Sequence, residues 1–247
     1  MSFKVVIPAR YASARLPGKP LLDIAGKPMV VRVAEQAAKS GASEVVIATD
    51  FEKIMQVAHE HNVKAVMTNI NHASGTDRIN EVAQLLGWTD NEIVVNVQGD
   101  EPLIEPNLIQ QVAAHLANSK EAVMATACHA IHDEALLLNP NIVKVVLDAH
   151  GNALYFSRAP IPYPRDEACK KNIQAHRHIG IYAYRVGFLK QYAKLAVTEL
   201  EKIESLEQLR VLHSGYKIAV TVTQNAPASG VDTQTDLDYV RSIFKGN

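Results

Sequence analysis

FKVVIPARYASARLPGK, residues 3–19, decides the reading of this chain. Phe3 to Ile7 is a short apolar run of strand type, and Pro8 ends it. The loop that follows carries Arg10, Arg15 and Lys19 and no acidic residue, and a helical pattern begins near Pro28. Strand, loop and helix in that order open an α/β sheet, whose ligands collect outside the carboxyl ends of its strands. Three cations there suit a polyphosphate, because a guanidinium forks onto phosphate oxygens and an ammonium adds a point charge. The loop is not of the Walker type: Gly18-Lys19 runs into Pro20 rather than Ser or Thr, and no G-x-G-x-x-G stands anywhere in the chain. The alternative for these charges is a solvated surface loop.

Outward from this stretch, Val- and Ile-rich runs recur at EVVIAT (44–49), VKAVM (63–67), EIVVNV (92–97) and AVMATA (122–127). Near-continuous apolarity, rather than alternation, predicts parallel strands covered on both faces. Helical stretches separate them at 28–40, 51–60, 77–86 and 106–117, two of them stopped by Gly41 and Gly87. The rhythm predicts an α/β fold, a doubly wound, mostly parallel sheet of Rossmann-like kind. From about Asn139 it changes. IVKVVLD (142–148), ALYFS (153–157) and RHIGIYAYR (177–185) follow closely and read as a small antiparallel addition. The segment 159–175, with Pro160, Pro162 and Pro164, reads as a loop or arm. Helices near 186–195 and 205–213, a last strand at 217–223 and a closing helix at 233–244 complete the chain.

A chain of 247 residues with 47% hydrophobic content suits one large domain, 1–247, with 150–215 as a subregion. A net charge of −1 argues against a general nucleic-acid or membrane-surface binder. No apolar run reaches membrane-span length, and the chain enters a strand at once, leaving no room for a signal peptide. Cys128 and Cys169 form no C-x-x-C pair and read as reduced thiols of a cytoplasmic protein. Ten histidines invite a zinc hypothesis, yet no Cys or third His stands at zinc spacing beside His176 and His178 or His129 and His132.

Two acidic positions are metal candidates. NVQGDEP (96–102) follows an apolar strand and places Gln98, Gly99 and Asp100 at the sheet's carboxyl edge, with Gly99 allowing close backbone approach to a ligand. Asp100 reads either as a Mg²⁺ ligand or as the N-cap of a short turn. Asp232, in SGVDT (229–233), has the same two readings. HASGTDR (72–78) offers Ser74, Gly75 and Arg78 to a base or ribose, or else simply starts a helix. On the late strand, His178, Gly180, Tyr182 and Tyr184 share a face, and EQLR (207–210) puts Glu207 and Gln208 at a helix start. Alternatively the tyrosines are core and Glu207 pairs with Arg210.

These motifs together resemble the 3-deoxy-manno-octulosonate (Kdo) cytidylyltransferase family, from Lys4 to about Tyr239. The pattern IPAR-x-x-S-x-R-L-P-G-K looks like its nucleotide loop, and QGDEP, GVDT, SGT-x-R, FSR, RH-x-GIY-x-YR and LEQLR all stand intact. The resemblance implies transfer of CMP from CTP to the anomeric hydroxyl of Kdo, in lipopolysaccharide biosynthesis. It implies Mg²⁺ on Asp100 and Asp232, with Lys19 and Arg10 also catalytic. It implies a nucleotide pocket of Pro8, Ala9, Arg10, Arg15, Lys19, Ser74, Gly75, Arg78, Gln98 and Gly99. The sugar falls to Gln98, Arg158, His178, Tyr182, Glu207 and Gln208. A homodimer is implied too, built on the Pro-rich arm. One position departs: Tyr163 stands where Trp often follows, and a planar amphipathic ring is kept. The rivals are a cytidylyltransferase for another acidic sugar (8-amino-Kdo or a sialic acid) and a catalytically silent nucleotide-sugar sensor. The RH-x-GIY-x-YR motif favours Kdo over sialic acid. A sensor is expected to lose a metal carboxylate or the loop lysine, and Asp100, Asp232 and Lys19 are all present.

Overall fold

The computed structural model describes residues 2–12, 16–72, 74–166, 169, 173–228 and 230–246. The first half runs β1 (Lys4–Ala9), β2 (Asp23–Ile24), β3 (Lys27–Pro28), α1 (Met29–Ala38), β4 (Glu44–Thr49), α2 (Glu52–Glu60), β5 (Lys64–Met67), α3 (Gly75–Leu85), β6 (Ile93–Asn96) and α4 (Pro106–Asn118). The second half runs β7 (Ala122–Ile131), α5 (Glu134–Leu138), β8 (Lys144–Leu147), β9 (Ala153–Ser157), β10 (Ala175–Arg185), α6 (Val186–Tyr192), α7 (Glu199–Glu204), α8 (Gln208–His213), β11 (Lys217–Thr223) and α9 (Gln234–Lys245).

Among the described residues nine strands form one sheet, ordered β11-β7-β10-β6-β1-β4-β5, with β8 on β10 and β9 on β8. β1 pairs in parallel with both β4 and β6, so the strand order reverses there. In a doubly wound sheet that reversal opens a crevice at the strands' carboxyl ends. The near-continuous apolarity of the strands has its reason in two cores. Val5, Ile7 and Ala9 face α1, α2 and α4, while Val6, Val46 and Val94 face α3 and α6.

The antiparallel addition expected after Asn139 is present as β8 and β9, but β10 is not at the margin. It lies inside the sheet, antiparallel to both β6 and β7. Its register jumps from Ile179↔Ala127 to Tyr182↔Thr126. Two extra residues at the bulge keep the parity of the pleat, so His178, Tyr182 and Tyr184 still share one face. The hairpin β2–β3 was not foreseen. Its two-residue turn, Ala25-Gly26, takes φ of 50° and 82°, the left-handed pair that a twisted two-residue hairpin requires. α7 also went unread within the late helical stretch.

Candidate active site

The crevice is assembled by small residues that let loops touch. A Cβ at Gly99 would stand 2.8 Å from the Pro8 carbonyl oxygen, so only glycine brings the 98–100 loop onto the end of β1. The Val97 N–H donates to the Val6 carbonyl at 3.0 Å, continuing the β6–β1 pairing up to that contact. Gly75, at the start of α3, lies against Pro8 and Asn96. Pro8, Ala9, Gly75, Gln98 and Gly99, all expected around the nucleotide, therefore converge. Arg10 donates to the His72 carbonyl at 2.7 Å, reaching from the end of β1 to the loop before α3. Arg15 lies outside the described residues.

A second assembly brings in the end of the chain. The Val231 N–H donates to the Asp100 carbonyl at 2.8 Å. Val231 is also buried with Ile24, Met29, Leu237 and Val240 in a separate small core under the cationic loop. This core fixes Lys19 against the two candidate carboxylates. The Lys19 ammonium donates to Asp100 Oδ2 at 2.5 Å, to the Val231 carbonyl at 2.6 Å and to Asp232 Oδ1 at 3.0 Å. Burial alone lowers the Lys19 pKa, but the bonds and charge of Asp100, then Asp232, outweigh it and raise it.

Two carboxylates far apart in the sequence, Asp100 and Asp232, thus aim at one cation-sized point. That arrangement fits Mg²⁺, which takes one or two carboxylates and fills its octahedron with phosphate oxygens and water. Among the described residues no group of three or more His, Cys, Asp or Glu is set to hold a metal. Next to Asp100, burial first and the Asp100 charge second push the Glu101 carboxyl up to about 8. Sequence reasoning passed over Glu101, since nothing in its spacing announces that it is half-buried beside Asp100.

The other wall is lined from β10, α3 and α8. Thr76 Oγ1 donates to Glu207 Oε1 at 3.2 Å and lies 3.2 Å from the Tyr184 hydroxyl. Burial raises the Glu207 pKa, against the Thr76 bond and Arg210. The pairing of Glu207 with Arg210 offered as the bland reading is not formed, because Arg210 Nε donates to Glu201 Oε2 at 2.7 Å. Gln208 is 2% exposed, and its Nε2 finds no acceptor among the described residues; neither does Asn96 Oδ1 find a donor. Orphaned buried groups of this kind mark a place where a polar ligand completes the network. His178 Nε2 lies 2.9 Å from Thr126 Oγ1, and its ring packs against Phe156 and Tyr182. Burial pushes its pKa down to about 3, leaving a neutral imidazole. Gln98 Nε2 donates to the Gly180 carbonyl at 3.4 Å, tying the β6 loop to the β10 bulge.

Three expected residues do different work. Ser74 caps α3, accepting from the Asp77 N–H at 3.1 Å. Arg78 does not add potential to the crevice: it is 0% exposed, pairs with Asp50 Oδ2 at 2.6 Å and donates to Thr68. A guanidinium out of water needs a carboxylate, and Asp50, at the end of β4, supplies it. Arg158 donates to the carbonyls of Glu204 (2.6 Å), Pro140 (3.1 Å) and Ser205 (3.4 Å), so its guanidinium holds loops together. Cys128 and Cys169 are both free thiols.

With this geometry in place, the chain was compared with known proteins. A family model described as Cytidylyltransferase matches residues 4–218. A protein of Neisseria gonorrhoeae named 3-deoxy-manno-octulosonate cytidylyltransferase is 59% identical over 249 residues, covering 98% of each chain. This chain belongs to the 3-deoxy-manno-octulosonate cytidylyltransferase family. The relative of that name from Neisseria meningitidis serogroup A is also 59% identical, with the same coverage. A solved structure described as CMP:2-keto-3-deoxy-manno-octonic acid synthetase complexed with CTP is 43% identical. It superposes with a TM-score of 0.92, covering 99% of this chain and 98% of that one. A cytidylyltransferase from Leptospira borgpetersenii, 16% identical with a TM-score of 0.64, shares the fold over the whole of this chain and 87% of its own. Of the motifs that carried the resemblance, the IPAR loop and QGDEP meet at the β1–β6 crevice, GVDT joins them through Val231 and Asp232, and Arg78 and Arg158 of SGT-x-R and FSR lie on structural contacts instead.

Proposed function

We propose that this cytidylyltransferase transfers CMP from CTP to the anomeric hydroxyl of Kdo, releasing pyrophosphate. The hydroxyl oxygen forms a bond to the α-phosphorus as the bond from that phosphorus to the β-phosphate's bridging oxygen breaks, and the hydroxyl's proton passes to water. No protein nucleophile is needed, since positioning and charge neutralisation supply most of phosphoryl-type catalysis. Arg10 and Lys19 balance charge on the triphosphate over the end of β1. Pro8, Ala9, Gly75 and Gly99 allow the nucleotide to lie against the backbone. Gln98, His178, Tyr182, Glu207 and Gln208 hold and orient the sugar from the opposite wall, with Thr76 and Tyr184 fixing Glu207. Asp100 and Asp232 are the residues that would hold Mg²⁺, which when bound would lower the pKa of the sugar hydroxyl and neutralise phosphate charge. The observation that carries this reading is the convergence of Asp100 and Asp232 on one cationic point beside the β1–β6 reversal.

The whole chain acts as one cytidylyltransferase domain, with 150–215 as its sugar-binding and dimerisation subregion. A homodimer is supported by a groove in which Ile131, Leu137, Leu138, Pro160, Tyr163 and Ile173 stand beside His132, Asp133 and Glu134, and in which Leu138 is 58% and Tyr163 81% exposed. A two-fold contact is the commonest way to close such a surface. Among the described residues no helix is long and apolar enough to cross a membrane, and two free thiols suit the cytoplasm. Pyrophosphate release from CTP, with Kdo, 8-amino-Kdo and N-acetylneuraminate compared side by side, tests the function. Kdo should give the highest kcat/KM; release that is independent of any sugar, or fastest with N-acetylneuraminate, overturns the proposal.

A further inference from the structure

Beside Asp232 lies a cavity of about 320 Å³, whose walls include His129, Arg177, His178, Gly180, Asp232 and Asp236. Arg177 enters it from β10, directly across from His129 on β7 and just before the bulge. Arg177 is only half-exposed, yet it has no ion pair and no side-chain hydrogen bond among the described residues. Its neighbours do not share its charge. Burial lowers the pKa of both His129 and His178, so both are neutral near pH 7. Arg177 is therefore the only cation among the described residues of that wall.

Two of the three carboxyl groups on the cavity are already engaged, and among the described residues no ion pair joins the third, Glu101, to Arg177. Asp232 accepts from Lys19, and Asp236 accepts from the Asp232 and Thr233 N–H groups and the Thr233 hydroxyl. A guanidinium facing open space, with no protein acceptor closing on it, is arranged to pair with something that arrives. The other cation expected for an acidic sugar, Arg158, has its guanidinium on three backbone carbonyls.

The chemistry of the substrate fixes where its acid must lie. In Kdo the carboxylate and the anomeric hydroxyl stand on the same carbon. A hydroxyl placed at Asp100 and Asp232 puts the carboxylate in the first space beyond them, and the cavity shares Asp232 with that pair. We infer that Arg177 binds the carboxylate of the sugar, from a position between the β10 bulge and the Asp232 loop, and sets the requirement for an acid at that carbon. This rests on the reading of the reaction as CMP transfer to Kdo.

The test compares Kdo with Kdo 1-carboxamide in the wild type and in R177Q, R177K and R158Q, reading pyrophosphate release. CTP binding without sugar is followed by calorimetry. The wild type should strongly prefer the acid. R177Q should lose roughly 30-fold or more in kcat/KM for Kdo, mostly through KM, and shift by no more than about threefold with the amide. R177K keeps the charge without the fork, so it should recover part of the loss and also covers the case in which R177Q fails to fold. CTP affinity should be the same in all four proteins. Equal losses on acid and amide in R177Q, or a preference erased by R158Q instead, overturn the assignment to Arg177. A wild type inactive with Kdo overturns the functional reading itself, and is told apart because it needs no variant.

Discussion

Replacing Lys19 with Met removes an ammonium and keeps the aliphatic stem. In the folded protein that ammonium bonds two carboxylates and a carbonyl at 2.5–3.0 Å. Charge-assisted bonds contribute about 1.5–3 kcal/mol when buried. Here the Asp100 and Asp232 side chains are 32% and 44% exposed, so solvent screens both. Each bond is then worth about 1 kcal/mol, close to the upper end for exposed pairs. Uncovering two facing carboxylates adds repulsion, and the sum is about 2–3 kcal/mol of lost stability without metal. In a chain of this length that lowers Tm by about 8 °C. Magnesium should reverse the loss. In the wild type a divalent ion must displace the ammonium, whereas in K19M the same carboxylates stand ready. A tenfold tighter metal Kd is worth about 1.4 kcal/mol at saturation, or about 4 °C more stabilisation by Mg²⁺ than the wild type receives. The assay is thermal unfolding with and without Mg²⁺, with Mn²⁺ titrated calorimetrically as a second readout. Turnover should stay depressed by about 100-fold or more, because the triphosphate has lost a cation. Equal Mg²⁺ shifts in both proteins, or weaker Mn²⁺ binding in K19M, would show that the ammonium does not stand where the metal goes.

Other consequences can be measured directly. Asp100→Asn and Asp232→Asn should each lower kcat by about 100-fold or more at saturating Mg²⁺ while Tm moves by no more than about 3 °C, since both side chains stand on loops; near-normal turnover in either removes that residue from the metal set. His178 should make stability fall on acidification. Its folded pKa, about 3, lies below the usual 6.5, so the unfolded chain takes up the proton first and stability drops as pH falls below 6.5. Urea unfolding at pH 7 and pH 5 should therefore show the wild type losing about 2 kcal/mol more than His178→Gln, and equal losses would contradict the buried neutral ring. Charging the groove with Leu138→Asp and Tyr163→Asp should convert a dimer into a species of about one chain's mass by light scattering, leaving secondary structure unchanged; an unaltered mass in the double variant removes the groove from the interface.

Much of the crevice could be read from residues alone because local rules determine it. An apolar strand that stops at Ala9, one residue past the Pro8 expected to end it, and Gly99 after another such strand place two loops at the carboxyl edge whatever the rest of the chain does. Capping chemistry likewise announced α3 at Ser74, whereas for α9 the sequence offered Asp232 and the cap is its neighbour Thr233. What could not be read depends on partners distant in sequence. Arg78 and Arg158 are indistinguishable as letters from ligand-binding arginines. Only Asp50, 28 positions away, and the carbonyls of Pro140, Glu204 and Ser205 show that they are structural. The Thr76–Glu207 bond spans 131 positions and left no periodic trace. The place of β10 inside the sheet was hidden for the same reason. Alternation shows that a strand has two faces, and not which strands flank it.

That insertion dictates an order of events during synthesis. β6 and β7 both lie next to β10, a strand that ends only at Arg185, so neither has its neighbour while the first 170 or so residues are emerging. Until then the nascent chain presents three open, apolar strand edges of the kind that recruit other chains, one on β6 and both on β7, whose other neighbour β11 comes later still. The crevice around Asp100 is likewise unfinished, since its second carboxylate, Asp232, is made only after β10 and β11. A ribosome stalled past β7 would thus display a half-sheet with the nucleotide loop formed and its metal partner missing. Chaperone capture of this protein should be concentrated in that window, and a circular permutant that makes β10 before β7 should shorten it.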